Sequence, residues 1–189
     1  MRIIAGAYKG RILKTTTGPG FRPAMGKVRE ALFSMLEARG VDWPVVRVLD
    51  LFAGSGSLGF EALSRGAAHV CFVESAPYAA RIIAANAELL DVEPSRVSLR
   101  REEAAKVLSR RAEKAYDVVF IDPPYNVDVL GNTLSALIKQ AWALPGAVIN
   151  AEVEAKQPFE PENAHPALEL LADRAYGQTR VILWNMNRA

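Results

Sequence analysis

Val48-Leu49-Asp50-Leu51-Phe52-Ala53-Gly54-Ser55-Gly56-Ser57-Leu58-Gly59 is an apolar run that ends in a glycine-rich turn and opens a helix. Val45, Val46, Val48, Leu49, Leu51 and Phe52 make the run nearly continuous, the pattern of a strand covered on both faces in a parallel sheet. Gly54 and Gly56 allow a sharp turn and close approach of the backbone to a ligand, and Gly59 allows the helix to pack tightly. The reading is a nucleotide-type cradle. The spacing Gly54-x-Gly56-x-x-Gly59 also satisfies the dinucleotide fingerprint, so a nicotinamide or flavin enzyme is the first competing assignment. Asp50 lies in the approach to the turn, and Glu74 closes the next apolar run, Val70-Cys71-Phe72-Val73, twenty residues beyond Gly54. A carboxylate there can accept both ribose hydroxyls of an adenosine.

Asp122-Pro123-Pro124-Tyr125, after the apolar strand Asp117 to Ile121, decides between cofactors. A nicotinamide dehydrogenase has no use for it; a methyltransferase acting on an exocyclic amine does. Such a nitrogen is a poor nucleophile because its lone pair is delocalised. It reacts when both hydrogens are occupied and the lone pair is aimed at the methyl group. The Asp122 carboxylate and the Pro123 carbonyl supply two acceptors, and proline donates nothing in competition. Tyr125 offers a face for a base to stack on; packing is its other reading.

With both motifs on one chain, the sequence resembles the S-adenosylmethionine-dependent methyltransferases of Rossmann-like fold. Arg2-Ile3-Ile4-Ala5-Gly6, Arg22-Pro23, Lys27-Val28-Arg29-Glu30-Ala31-Leu32-Phe33 and Glu61-Ala62-Leu63-Ser64-Arg65-Gly66-Ala67 narrow the resemblance to the RsmD family, which methylates a guanine N2 of 16S ribosomal RNA. It runs from Arg2 to about Leu183. Where the family has a Thr-Thr-Asp-like stretch after Arg-Pro, this chain has Ala24-Met25-Gly26. The resemblance implies S-adenosylmethionine as methyl donor, with Asp50, Phe52, Ala53, Gly54, Ser55, Gly56, Glu74, Ser75, Glu103 and Asp122 as the candidate cofactor contacts. Glu103, followed by Ala104 and Leu108, fits the adenine-binding register better than Glu102; an ordinary acidic helix start is the alternative. Asp122, Pro123 and Tyr125 are the candidate catalytic residues. The implied partner is 16S RNA, in the small ribosomal subunit or an assembly intermediate, met by a monomer.

Charge points the same way. The chain has 189 residues and a net charge of only +2, but residues 1–29 carry seven basic groups and no acid, leaving 16 basic against 21 acidic side chains in the rest. Arg2, Lys9, Arg11, Lys14, Arg22, Lys27 and Arg29 are therefore candidate RNA contacts. We expect a basic N-terminal hairpin and linker, residues 1–23, ahead of a methyltransferase domain, residues 24–189. Half the residues are apolar, enough for a core without staples. The single cysteine, Cys71, reads as core packing in a reducing compartment. His69 and His165 form no metal-ligand pattern. With no apolar stretch of membrane-spanning length, the expected location is cytoplasmic.

Along the chain, Arg2 to Lys14 reads as a β-hairpin turning at Lys9-Gly10, and Thr15 to Pro23 as a linker. Val28, Leu32, Met35 and Leu36 mark a helix stopped by Gly40, and a helix from Ser57 to Arg65 ends on Gly66. Ser75 is expected to cap a helix whose buried stripe is Ile82, Ile83, Leu89 and Leu90, with Asn86 either surface or site. Val97 to Arg100 is a strand, followed by a helix to about Arg111. Asp128 should cap a helix carrying Leu130, Leu134, Leu137, Ile138 and Ala141. Ala147 to Ala151 is the fifth strand, Glu152 to His165 an exposed connector, and Leu168 to Trp184 a hairpin. The sum is an α/β fold: a doubly wound, mostly parallel seven-stranded sheet whose last strand is antiparallel. A DNA adenine methyltransferase, a protein-glutamine methyltransferase and a non-catalytic RNA-binding protein are the rival assignments.

Overall fold

The structure, a computed structural model, describes residues 1–15, 24–123 and 127–187. Arg22, Pro124, Tyr125, Asn126 and most of the expected linker lie outside them.

The elements in order are α1 (Ala24–Ala38), β1 (Arg47–Leu51), α2 (Ser57–Arg65), β2 (His69–Val73), α3 (Pro77–Leu89), β3 (Val97–Arg100), α4 (Ala104–Leu108), β4 (Tyr116–Ile121), α5 (Val127–Lys139), β5 (Ala143–Glu154), β6 (Leu168–Tyr176) and β7 (Thr179–Met186). The strands form one seven-stranded sheet ordered β3-β2-β1-β4-β5-β7-β6. Strands β1 to β5 pair in parallel, and β7 runs antiparallel to both neighbours. The expected α/β architecture is therefore the observed one. The chain leaves β1 towards one edge and returns to β4 on its other side, so the loops after β1 and β4 diverge. Ligands of open α/β sheets bind in the crevice this reversal opens.

Alternation along the strands sends side chains into two cores. Val48 and Phe120 pack with Leu32, Phe33 and Leu36 of α1 and Phe60 and Leu63 of α2. Leu49, Leu51 and Ile121 pack with Val107 and Leu108 of α4 and Leu130, Leu134 and Leu137 of α5. Strands β1 and β4 are covered on both faces, which is why their sequences are nearly all apolar. Val45 is the exception to that run: it sits in a 3-10 turn before β1 and is 71 % exposed.

Gly59 behaves as its position in α2 requires, since a Cβ there would lie 2.2 Å from the ring of Phe72 on β2. Gly66 ends α2 in the left-handed conformation with φ 115°. Cys71 is a buried free thiol. Several local expectations are corrected. The first residue before α3 is Ala76, which has no side-chain cap, so Ser75 does not cap it. Leu89 is 39 % exposed and Leu90, one residue beyond the helix, takes the buried place. Helix α4 stops at Leu108 rather than near Arg111. Helix α5 starts at Val127, so Asp128 lies inside it. The supposed connector from Glu152 begins within β5, and its Pro161 is buried and accepts a hydrogen bond from Trp184 Nε1 at 2.8 Å.

The N-terminal segment forms one antiparallel bridge, Arg2 with Ile12, rather than two strands. The expected turn is present, with Arg11 N donating to Tyr8 O at 3.0 Å around Lys9-Gly10. The loop docks on α2, where Gly6 approaches so closely that a Cβ would lie 1.8 Å from Ser64 O. Ile3 and Leu13 enter the core. Glu61 of α2, fully buried, accepts the amides of Ile4 at 2.8 Å and Ala5 at 3.0 Å. No helix among the described residues is long and apolar enough to cross a membrane.

Candidate active site

A cleft of about 750 Å³ opens at the carboxyl ends of the strands, lined by Phe52, Glu74, Ser75, Glu102, Glu103 and Asp122 together with residues of α4 and α5. Its volume suits a nucleoside-sized ligand. The turn after β1 forms one wall. Phe52 holds a φ of 57°, a conformation costly for a bulky residue and met mainly where function demands it. Ala53 N is tied to Val73 O at 3.1 Å, and Gly56 N to Ala53 O at 2.7 Å, so the turn is rigid. At Gly54 (φ +56°) a Cβ would meet nothing within 4 Å, which leaves that space open to a ligand. The amides of Ser57 and Leu58, at the start of α2, donate to no acceptor among the described residues. Exposed amides at a helix N-terminus suit a carboxylate.

Glu74 is the hinge of the cleft. Its Oε2 accepts from Gly54 N at 2.8 Å and its Oε1 from Ala76 N at 2.7 Å. A carboxylate offers about four lone-pair sites, so two remain for a pair of hydroxyls. Two amides thus aim a residue that the sequence located only by spacing. Glu102 and Glu103 both line the cleft, but Glu102 is ion-paired with Arg110 and, at 3.6 Å, with Lys106. The Glu103 carboxylate has no hydrogen-bond or ion-pair partner among the described residues.

Asp50 stands behind the lining and Gly56 is buried, whereas Ala53, Gly54 and Ser55 are half-buried in the turn that forms the wall. Asp50 is 2 % exposed and its Oδ2 accepts from Gly59 N at 3.0 Å, locking the turn to α2. Burial pushes its carboxyl well above the usual range, against the pull of the Gly59 amide, and Asp122 and Glu74 add to the rise. Asp122 follows β4, its amide near Leu51 O at 3.5 Å, and its side chain opens onto the cleft. It is exposed at the mouth of the cleft, and partial dehydration by the protein packed around it pushes its carboxyl up to about 6. Pro123 is buried. Tyr125 falls outside the described residues.

Of two further residues at the site, sequence reasoning left Asn86 between surface and site and missed Glu152. Asn86, fully buried, accepts from Lys14 N at 2.8 Å and donates to Lys14 O at 3.0 Å and Ser55 O at 3.2 Å, clamping the N-terminal segment and the glycine turn together. Glu152 of β5 stands one position past the pair Ile121–Ala151, beside Asp122. Burial pushes its carboxyl up to about 8, helped by Asp122 and opposed by Arg29. A signal was present: in Ile149-Asn150-Ala151-Glu152-Val153 the polar residues alternate inside an apolar strand.

Of the basic candidates, Arg2, Lys9, Arg11, Lys14 and Lys27 are exposed. Arg29 is corrected: only 5 % exposed, it donates to Arg2 O and Met1 Sδ, each at 2.7 Å, and faces Glu61 at 3.8 Å. It is an internal tie rather than a surface contact. No cluster of His, Cys, Asp and Glu among the described residues could hold a metal ion.

A parallel sheet with its crevice at the β1/β4 switch, a glycine turn, an acidic residue closing β2 and Asp-Pro after β4 define a methyltransferase of the S-adenosylmethionine-dependent class. The chain belongs to the RsmD family, whose model, described as conserved hypothetical protein 95, matches residues 1–185. It is 36% identical over 168 residues to ribosomal RNA small subunit methyltransferase D of Haemophilus influenzae, covering 86% of this chain and 84% of that protein. The same-named protein of Escherichia coli K12 is 36% identical over 165 residues, 86% and 80% of the two chains. The solved structure of the Escherichia coli protein yhhF superposes with a TM-score of 0.86 at 28% identity, covering 100% of this chain and 99% of that one.

Proposed function

We propose that the protein transfers a methyl group to the exocyclic N2 amine of a guanine in 16S ribosomal RNA, acting as a cytoplasmic monomer on the small subunit or an assembly intermediate. The observation that carries the reading is Asp122, opening onto the cleft beside buried Pro123 at the switch point of the sheet. The names of the relatives support the RNA target, and the exposed cations Arg2, Lys9, Arg11, Lys14 and Lys27 support a polyanionic partner. Residues 1–23 are assigned to RNA and residues 24–189 to the catalytic domain.

When bound, S-adenosylmethionine supplies a methyl group on a sulfonium, an electrophile that needs no metal. Glu74 fits the ribose, the amides opening α2 fit the methionine carboxylate, and Glu103 fits the adenine amine. Asp122 and the Pro123 carbonyl take the two amine hydrogens, which fixes the lone pair towards the donor, and Tyr125 stacks on the base. Holding the reacting atoms in line at roughly 3–3.5 Å accounts for most of the rate. As the nitrogen gains its methyl group it must release a proton. The Asp122 carboxylate, ionised above about 6, is the base placed to take it.

The test offers labelled methyl donor with small subunits, naked 16S RNA, DNA and protein extract in parallel, followed by nuclease digestion. Label in N2-methylguanosine is the expected outcome, and D122A should remove turnover while cofactor affinity stays within about twofold. Label in another nucleoside, in DNA or in protein would overturn the substrate, and near-normal turnover by D122A would overturn the role of Asp122.

A further inference from the structure

Three carboxyl groups, Asp50 on β1, Asp122 just after β4 and Glu152 on β5, gather at adjacent strands of the site. Asp50 pairs with Phe120 across β1 and β4, and Phe120 with Asn150 across β4 and β5, so Asp50, Phe120 and Asn150 share a face. Alternation puts Glu152, two positions on, on that face too, and Asp122, the first residue past β4, stands beside it. It is the face covered by α1, because Phe120 packs on Phe33 with ring centroids 5.7 Å apart. The charged groups turned towards Glu152 are Asp122 after β4, Asp50 on β1 and Arg29 on α1. On the β7 side its neighbour is the apolar Val181.

Arg29 cannot neutralise this group of acids by contact. Its two terminal nitrogens donate to Met1 Sδ and Arg2 O, and its Nε faces Glu61 of α2 at 3.8 Å. Two or three ionised carboxylates side by side in a shielded pocket repel strongly, and such groups resolve the conflict by keeping a proton.

We propose that Glu152 is the positioning partner of Asp122: a neutral carboxylic acid beside an ionised one, sharing a single proton across β4 and β5 and holding Asp122 as acceptor for the target amine. The inference rests on the reading of Asp122 as that acceptor. In this pair the protonated acid donates to the neighbouring carboxylate and so fixes the orientation of Asp122. The order of ionisation agrees, since Asp122 is raised to about 6 and Glu152, feeling Asp122, to about 8.

The experiment measures kcat, KM and cofactor affinity for the wild type, E152Q, E152A and D122A with the same RNA, from about pH 5.5 to about pH 9.5. Wild-type kcat should rise through about 6 and fall above about 8. E152Q, which mimics the neutral acid but cannot ionise, should keep the acid limb and lose the alkaline one. E152A should lose kcat roughly 10- to 100-fold with cofactor affinity unchanged. An alkaline limb that survives in E152Q, or E152A with kcat within about twofold of wild type, overturns the proposal. D122A with normal turnover would instead overturn the reading of Asp122 beneath it. Should E152A fail to fold, the E152Q profile decides alone.

Discussion

Replacing Glu61 with Gln removes one charge from the place where the N-terminal segment joins the domain. Glu61 is wholly buried, and its oxygens accept from Ile4 N at 2.8 Å, Ala5 N at 3.0 Å and Arg65 Nε at 3.0 Å, with Arg29 Nε at 3.8 Å. A glutamine keeps one accepting oxygen and turns an NH2 donor towards a backbone N–H donor. The loss includes one or two charge-assisted hydrogen bonds, about 1.5–3 kcal/mol each, and the countercharge of the buried Arg29. Together these predict a destabilisation of about 3–5 kcal/mol. For a chain of 189 residues, at about 2–4 °C per kcal/mol, Tm should fall by about 6–20 °C. Circular dichroism measures the melt, and hydrogen exchange reads the Ile4 and Ala5 amides, which should lose protection before the sheet does. A shift below about 2 °C with both amides still protected would refute the view that Glu61 holds the segment.

G59A should cost about 1–3 kcal/mol or more, because the added methyl group would lie 2.2 Å from Phe72 and α2 must lift off β2. The same lift displaces the amides that open α2, so cofactor affinity, read by calorimetry, should fall with stability. Charge reversal of Lys9, Lys14 and Lys27, all exposed, should weaken RNA binding and flatten its salt dependence by about one unit of slope for each phosphate no longer neutralised. Fold and cofactor affinity should stay unchanged; an unaltered salt slope would mean that the RNA is met elsewhere.

Much of the molecule was legible in the chain because it rests on local chemistry. Glycines at 54, 56 and 59, the apolar strands, and Asp122-Pro123 give the fold class and half the site, since backbone freedom, two-sided burial and amine recognition each demand those residue types at that spacing. Gly66 ended α2 where expected for the same reason. Ser75 and Leu89 were misread because caps and helix faces shift by one residue according to what packs against them; the Ala76 amide beside Ser75 is taken by Glu74. Arg29 shows the limit more sharply: within a basic run it reads as an RNA contact, and only the fold of residues 1–15 over α2 makes it an internal tie.

Glu152 marks the boundary between the two kinds of information. Its sequence neighbours, Glu154 and the prolines that follow, make it look like the start of a solvated connector. Its role depends instead on β4 lying next to β5 in a register that puts residue 152 beside residue 122. Sequence by itself determined the strand, the turn and the Asp-Pro pair, because each is specified within about a dozen residues. The grouping of Asp50, Asp122 and Glu152 was decided only by the tertiary structure. Strands distant along the chain become neighbours through topology, and the protonation of one carboxyl depends on the charges that topology brings beside it.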